Sequence, residues 1–215
     1  MTHSNANDMG TSVKVTKARV GITAGDLALI ATFAALIAVC AILPAVTIGG
    51  LVPITLQTFG VLLAGAILGA KRGFLTVLLY LAIGAVGLPV FTNGGAGLAP
   101  FAGPSAGYLV AMPFAAALTG FIVHRFAHKT IAGSITMISL AGVIASVVFM
   151  YPLGIGGLAW RAGMTIQEAF ILNLTFVPGD IIKAVLAAFV ATAVLRAFPD
   201  LAARRTLAED LGISA

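Results

Sequence analysis

Of the 215 residues, 60% are hydrophobic and 9% are charged, with a mean hydropathy of +1.10, whereas a soluble domain carries roughly a quarter charged residues. A water-exposed surface cannot be covered at that charge density, so the composition excludes a soluble enzyme and predicts one all-α, multi-pass membrane domain. The net charge of +5 does not call for a nucleic-acid partner, because the basic residues gather at the ends of apolar runs, where they set orientation in the bilayer.

Residues 1–25 are polar and read as a cytoplasmic tail, with Lys14, Lys17 and Arg19 just ahead of the first apolar run. That run, 26–46, is too long for the apolar region of a cleaved signal peptide. Ile37-Ala38-Val39-Cys40 mimics a lipoprotein processing site but has Val39 where a small residue is required. Cys40 is the single cysteine, so no intrachain disulfide and no cysteine metal cluster is expected. Ala34, Ala38, Ala41 and Ala45 form a row of small residues along helix 1, which suits either internal packing or a smooth face for a partner protein.

A crossing takes about 20 apolar residues. Runs between Gly and Pro breakers predict six transmembrane helices near 26–46, 52–70, 73–92, 107–124, 131–153 and 178–198, a membrane domain over 26–198 and a cytoplasmic C-terminal tail over 199–215. Gly65-x-x-x-Gly69-x-x-x-Gly73 is a second small-residue ridge that allows close helix contact. The stretch 164–198 exceeds one crossing and is broken at Pro178-Gly179, so 164–177 has room for an additional interfacial helix.

Lys71 and Arg72 join helices 2 and 3, Arg125 and Lys129 join helices 4 and 5, and Arg196, Arg204 and Arg205 follow helix 6, while the alternate loops hold only Arg161. Lys and Arg in short loops are retained inside. Both termini are therefore expected in the cytoplasm, with the loops near 47–52, 93–106 and 154–177 outside.

Ionisable residues within a span cost roughly 2.5–3.5 kcal/mol on an insertion scale and need a partner or a function. Asp180 and Lys183 share a face at the outer start of helix 6. They either neutralise each other as a structural pair or stand open to a polar ligand, the carboxylate accepting N–H groups and the ammonium donating to an oxygen. The Gly- and Pro-rich segment 92–107 is expected to be an outward loop without helix, where Phe91 and Phe101 can close over an apolar ring. Gln57 on helix 2 and Tyr108 on helix 4 add hydrogen-bonding groups at the same depth, so the combination describes a mostly apolar pocket open to the outside.

Gly103-Pro104-Ser105-Ala106-Gly107 fits the G-x-S-x-G pattern of a hydrolase elbow, but no strand precedes it, and His124 and His128 lie about 25 Å away at 1.5 Å per residue. A catalytic role is not expected. No G-x-x-x-x-G-K-[ST] occurs, so ATP-driven work requires another subunit.

Pro53-Ile54-Thr55-Leu56-Gln57, Ala64-Gly65-Ala66-Ile67-Leu68-Gly69 with Gly73, Gly87-Leu88-Pro89-Val90-Phe91, Gly103-Pro104-Ser105-Ala106-Gly107-Tyr108 and Pro178-Gly179-Asp180-Ile181-Ile182-Lys183, in that order, resemble the BioY proteins, biotin-specific S components of energy-coupling-factor (ECF) transporters. The resemblance covers roughly 25–198. It implies a six-helix S-component fold in the plasma (inner) membrane that captures biotin beneath the loop joining helices 3 and 4, with Asn93, Asp180 and Lys183 at the family's ligand-binding positions. It also implies docking of the helix 1 alanine row on a membrane-embedded T component joined to two cytoplasmic ATPases. Biotin would be cargo, with no cofactor. An S component for another vitamin and a self-sufficient secondary carrier coupled through Asp180 are the rival readings. Whether Lys183 or loop amides hold the ligand carboxylate stays open at this level.

Overall fold

The computed structural model describes residues 22–48, 52–126, 130–199 and 201. The expectations for Lys14, Lys17, Arg19, His128, Lys129, Arg204, Arg205 and most of both tails lie outside that set. Among the described residues, the chain is helical apart from one hairpin of short strands. In order, it forms α1 (Ala24–Ile42), β1 (Val46–Ile48), β2 (Val52–Ile54), α2 (Gln57–Ala85), α3 (Ala99–Ala102), α4 (Ala106–Arg125), α5 (Ile131–Ala145), α6 (Tyr151–Ala162), α7 (Ile166–Leu174) and α8 (Val177–Ala197). Among the described residues, five helical stretches are long and apolar enough to cross a membrane: α1, α2, α4, the continuous stretch Ile131–Ala162, and α8.

Helix α2 departs most from the expected spans 52–70 and 73–92. Residues 52–54 pair with β1 in an antiparallel hairpin, in register Val46 to Ile54, and the helix starts at Gln57. Its two halves are not collinear. Gly69 has φ 82° and ψ 178°, a conformation open essentially only to glycine, and the chain doubles back there. Gln57 Nε2 lies 3.0 Å from the Tyr80 hydroxyl, although a straight helix would separate residues so spaced by about 34 Å. A Cβ on Gly73 would sit 2.9 Å from the Gly65 Cα, so the glycine ridge is what lets the two arms touch. Lys71 and Arg72 are thus helical, in the first turn of the second arm.

The expected break after residue 153 is also displaced. α5 runs into α6 through a single π turn, Ser146–Met150. Pro152 lacks the N–H that would bond the carbonyl four residues back, and its ring crowds that carbonyl, which accounts for the local widening. The helix ends at Gly163 in a left-handed cap. The interfacial helix expected within 164–177 is α7, opened by a Thr165–Glu168 capping box. The segment expected to lack helix contains a 3-10 turn, Thr92–Gly94, and one α-helical turn, α3, with Pro100 in its first positions.

Two contacts define one end of the bundle. Asp26 at the start of α1 pairs with Arg72 Nε at 3.1 Å, and His124 Nε2 near the end of α4 lies 3.1 Å from the Ala66 carbonyl oxygen. The α1 start, the α2 fold-back and the α4 end therefore lie together, and Gln57, Tyr108 and Asp180 open their helices at the opposite end. On α1, Ala34 and Ala41 are 2% and 0% exposed. A partner cannot touch them, so the docking role expected for the row Ala34, Ala38, Ala41 and Ala45 is corrected for these two. They belong to the core beside α2, while Ala38 and Ala45 are half-buried.

Candidate functional site

A cavity of about 280 Å³ opens at the end away from Arg72, walled by β2, the N-termini of α2, α4 and α8, the π turn and the segment Phe91–Asn93. It is close to the small end of ordinary ligand pockets, roughly 300 Å³. Gln57, Phe91, Asn93, Tyr108, Asp180 and Lys183 all line it. Phe101 does not; its ring meets Phe91 edge-on at 5.6 Å and supports the wall from behind. That expectation is corrected.

Pro178 starts α8, which puts Asp180 in the first turn, where the positive end of the helix dipole favours a carboxylate. Lys183 follows one turn later on the same face, with Nζ 3.1 Å from Asp180 Oδ1. The pair is joined but not sealed, because both residues border the cavity. Lys183 is 7% exposed, and Asp180 takes one of its three N–H donors. The carboxylate keeps acceptor capacity on both oxygens, with Oδ2 receiving only the Tyr151 hydroxyl at 3.4 Å. Side by side, the pair offers an acceptor and a charged donor to one ligand edge.

The opposite wall is fixed by hydrogen bonds within the helix ends. Gln57 Nε2 donates to the Tyr80 hydroxyl at 3.0 Å and faces Met112 Sδ at 3.2 Å, while Tyr80 donates to the Val90 carbonyl at 3.2 Å. Tyr108 donates to Asn173 Oδ1 of α7 at 2.8 Å, and its ring stands edge-on to Phe176 at 5.9 Å. A Cβ on Gly154 would collide with that ring, so α6 can pass behind Tyr108 only with glycine there. Asn93 adopts φ 57°, a left-handed conformation that Asn tolerates better than other side chains do, and stands exposed at the cavity rim.

Met112, Met150 and Phe176 are among the other lining residues and carried no signal in the sequence, since apolar residues in apolar spans are indistinguishable by composition. Asn173 and Tyr151 did carry one. Each places a hydrogen-bonding group within a long apolar stretch, where such a group needs a partner.

Residues 10–200 match the BioY family profile. A protein of Rhizobium etli named biotin transporter BioY is 44% identical over 182 residues, covering 83% of this chain and 97% of that relative. A biotin transporter BioY of Rhodobacter capsulatus is 40% identical over 183 residues, covering 81% and 95%. Among solved structures, the S-component for biotin from an ECF-type ABC transporter superposes with a TM-score of 0.72 at 35% identity, covering 80% of this chain and 91% of that one.

Proposed function

The chain belongs to the BioY family, and from that membership we propose that it is the biotin-capturing S component of an ATP-driven ECF importer and not an enzyme. The observation that carries the proposal is the Asp180–Lys183 pair at 3.1 Å bordering a cavity that is otherwise largely apolar. Biotin's ureido group has a carbonyl acceptor next to an N–H donor, which matches the free donors of Lys183 and the free lone pairs of Asp180. Its thioether ring and valeryl chain suit Phe91, Met112, Met150 and Phe176. Asn93 at the rim would add an amide to the polar groups that meet the ureido ring.

The fold-back at Gly69 divides α2 into two arms, so the chain crosses the plasma membrane six times under this reading. Lys71, Arg72, Arg125 and Arg196 lie at the end away from the cavity. Retention of positive charge inside makes that end cytoplasmic, with both termini, and opens the cavity outward. The sequence carries no P-loop, so two cytoplasmic ATPases and a membrane-embedded T component would supply the work. The T component would meet the outward face of α1, where Ala28, Ala31 and Ala35 are exposed and let a second helix approach closely.

The test is equilibrium binding of labelled biotin to the detergent-purified chain and to Asp180→Ala. Tight binding by the first and a loss of at least a hundredfold in the second, with unchanged thermal unfolding, is expected. Equal affinity of the two rejects the role of Asp180, and no binding by the parent chain rejects biotin.

A further inference from the structure

Resting on biotin as the ligand, we infer that Gln57 turns its amide oxygen to the cavity and accepts the ureido N–H that Asp180 does not take. Both hydrogens of Gln57 Nε2 are engaged, by the Tyr80 hydroxyl at 3.0 Å and Met112 Sδ at 3.2 Å. Tyr80 spends its single proton on the Val90 carbonyl at 3.2 Å, so toward Gln57 it is an acceptor only. Turning the amide over would set its oxygen against the Met112 sulfur, acceptor to acceptor, and would draw the Tyr80 proton away from Val90. The amide is pinned in one sense.

Its Oε1 accepts from no group among the described residues, in a side chain that is 4% exposed and lines the cavity. Oε1 is not sealed in the core but opens to the cavity, so the donor that it lacks within the protein is one a ligand there supplies. The ureido group has a second N–H on the far flank of its carbonyl, and with Asp180 and Lys183 occupied by the first N–H and the carbonyl, that donor needs another acceptor. Asn93, the other amide on the wall, is exposed and its side chain makes no hydrogen bond among the described residues, so it is free to present either end. Gln57 selects a donor; Asn93 does not discriminate. Tyr80 is then a positioning residue that acts through Gln57.

The experiment measures affinities of the full chain in detergent for biotin and for the two lactam analogues in which one or the other ureido N–H is replaced by CH2. The parent chain should bind each lactam about tenfold or more weakly than biotin. Gln57→Met should bind biotin about tenfold more weakly and lose its discrimination against one lactam, while the penalty on the other, which reports Asp180, persists. Tyr80→Phe, which unpins the amide without deleting it, should narrow the same discrimination, and it decides the matter if Gln57→Met fails to fold. Both penalties unchanged in the variants would overturn the assignment to Gln57 while leaving biotin capture standing; a parent chain that binds no biotin overturns both.

Discussion

The Tyr151 hydroxyl stands 3.4 Å from Asp180 Oδ2, reaching across from the first residue after the π turn to the first turn of α8. Lys183 holds the other oxygen, so the carboxylate is fixed from two sides before any ligand enters. At 3.4 Å the Tyr151 bond is long and contributes at the low end, about 0.5–1 kcal/mol. Tyr151→Phe is expected to weaken biotin binding about three- to fivefold with little change in thermal unfolding. An unchanged dissociation constant would show that Lys183 alone orients Asp180.

The π turn makes a sharper prediction. A π turn holds about one residue more than an α turn, so deleting Val147, which is 53% exposed, is absorbed as regular α-helix and leaves the residues after it nearly in phase. Deleting Leu140 of α5, also 53% exposed, falls in regular α-helix and rotates everything after it by about 100°, taking Tyr151 from Asp180 and Gly154 from the Tyr108 ring. Biotin binding should stay within a few-fold of the parent in the first variant and fall at least a hundredfold in the second, with helical circular dichroism kept in both; equal losses would mean that the π turn does not set the phase of α6.

The site was more legible in the sequence than the path that builds it. Asp180 and Lys183 announced themselves because charges are expensive in an apolar span, Gln57 and Tyr108 shared their depth, and Asn93 stood out only through the family resemblance. The same reasoning put Phe101 in the site, because an aromatic in a loop looks alike whether it faces a cavity or backs another ring. Ala34 and Ala41 were ambiguous for a related reason: small residues serve internal packing and external docking equally well, and only burial separates the two. The fold-back of α2 was hidden because Gly69 belongs to a glycine ridge that reads as helix-packing surface, whereas its backbone angles make it the corner. The π turn follows from Pro152 only once α5 and α6 are known to be continuous.

Tyr108 depends on Gly154 behind it and on Asn173 at its hydroxyl. Gly154→Ala introduces a methyl group where the ring lies, and relief requires moving the ring or α6, at about 1–3 kcal/mol. The variant should unfold at lower temperature and bind biotin at least tenfold more weakly. Asn173→Ala leaves the ring its space and removes only the acceptor, so a smaller loss, about threefold to tenfold, is expected. The reverse order would place the hydrogen bond, not the packing, as the dominant restraint on Tyr108.

Glu168 gives a pH dependence outside the spans. Its Oε2 accepts from the Thr165 backbone N–H at 2.8 Å and from the Thr165 hydroxyl at 2.8 Å; these bonds, the backbone one first, hold the carboxyl below the usual glutamate value. A carboxyl depressed in the folded chain adds stability that is present above its unfolded value, about 4.3, and is lost as pH falls through the lower folded value. The first turn of α7 should therefore fray in acid. Amide exchange over residues 166–169, compared at each pH with Glu168→Gln, should show better protection in the parent chain at neutral pH and a difference that shrinks as pH falls below the unfolded value. A difference that persists undiminished at pH 3 would mean the glutamate acts through packing and not through its charge.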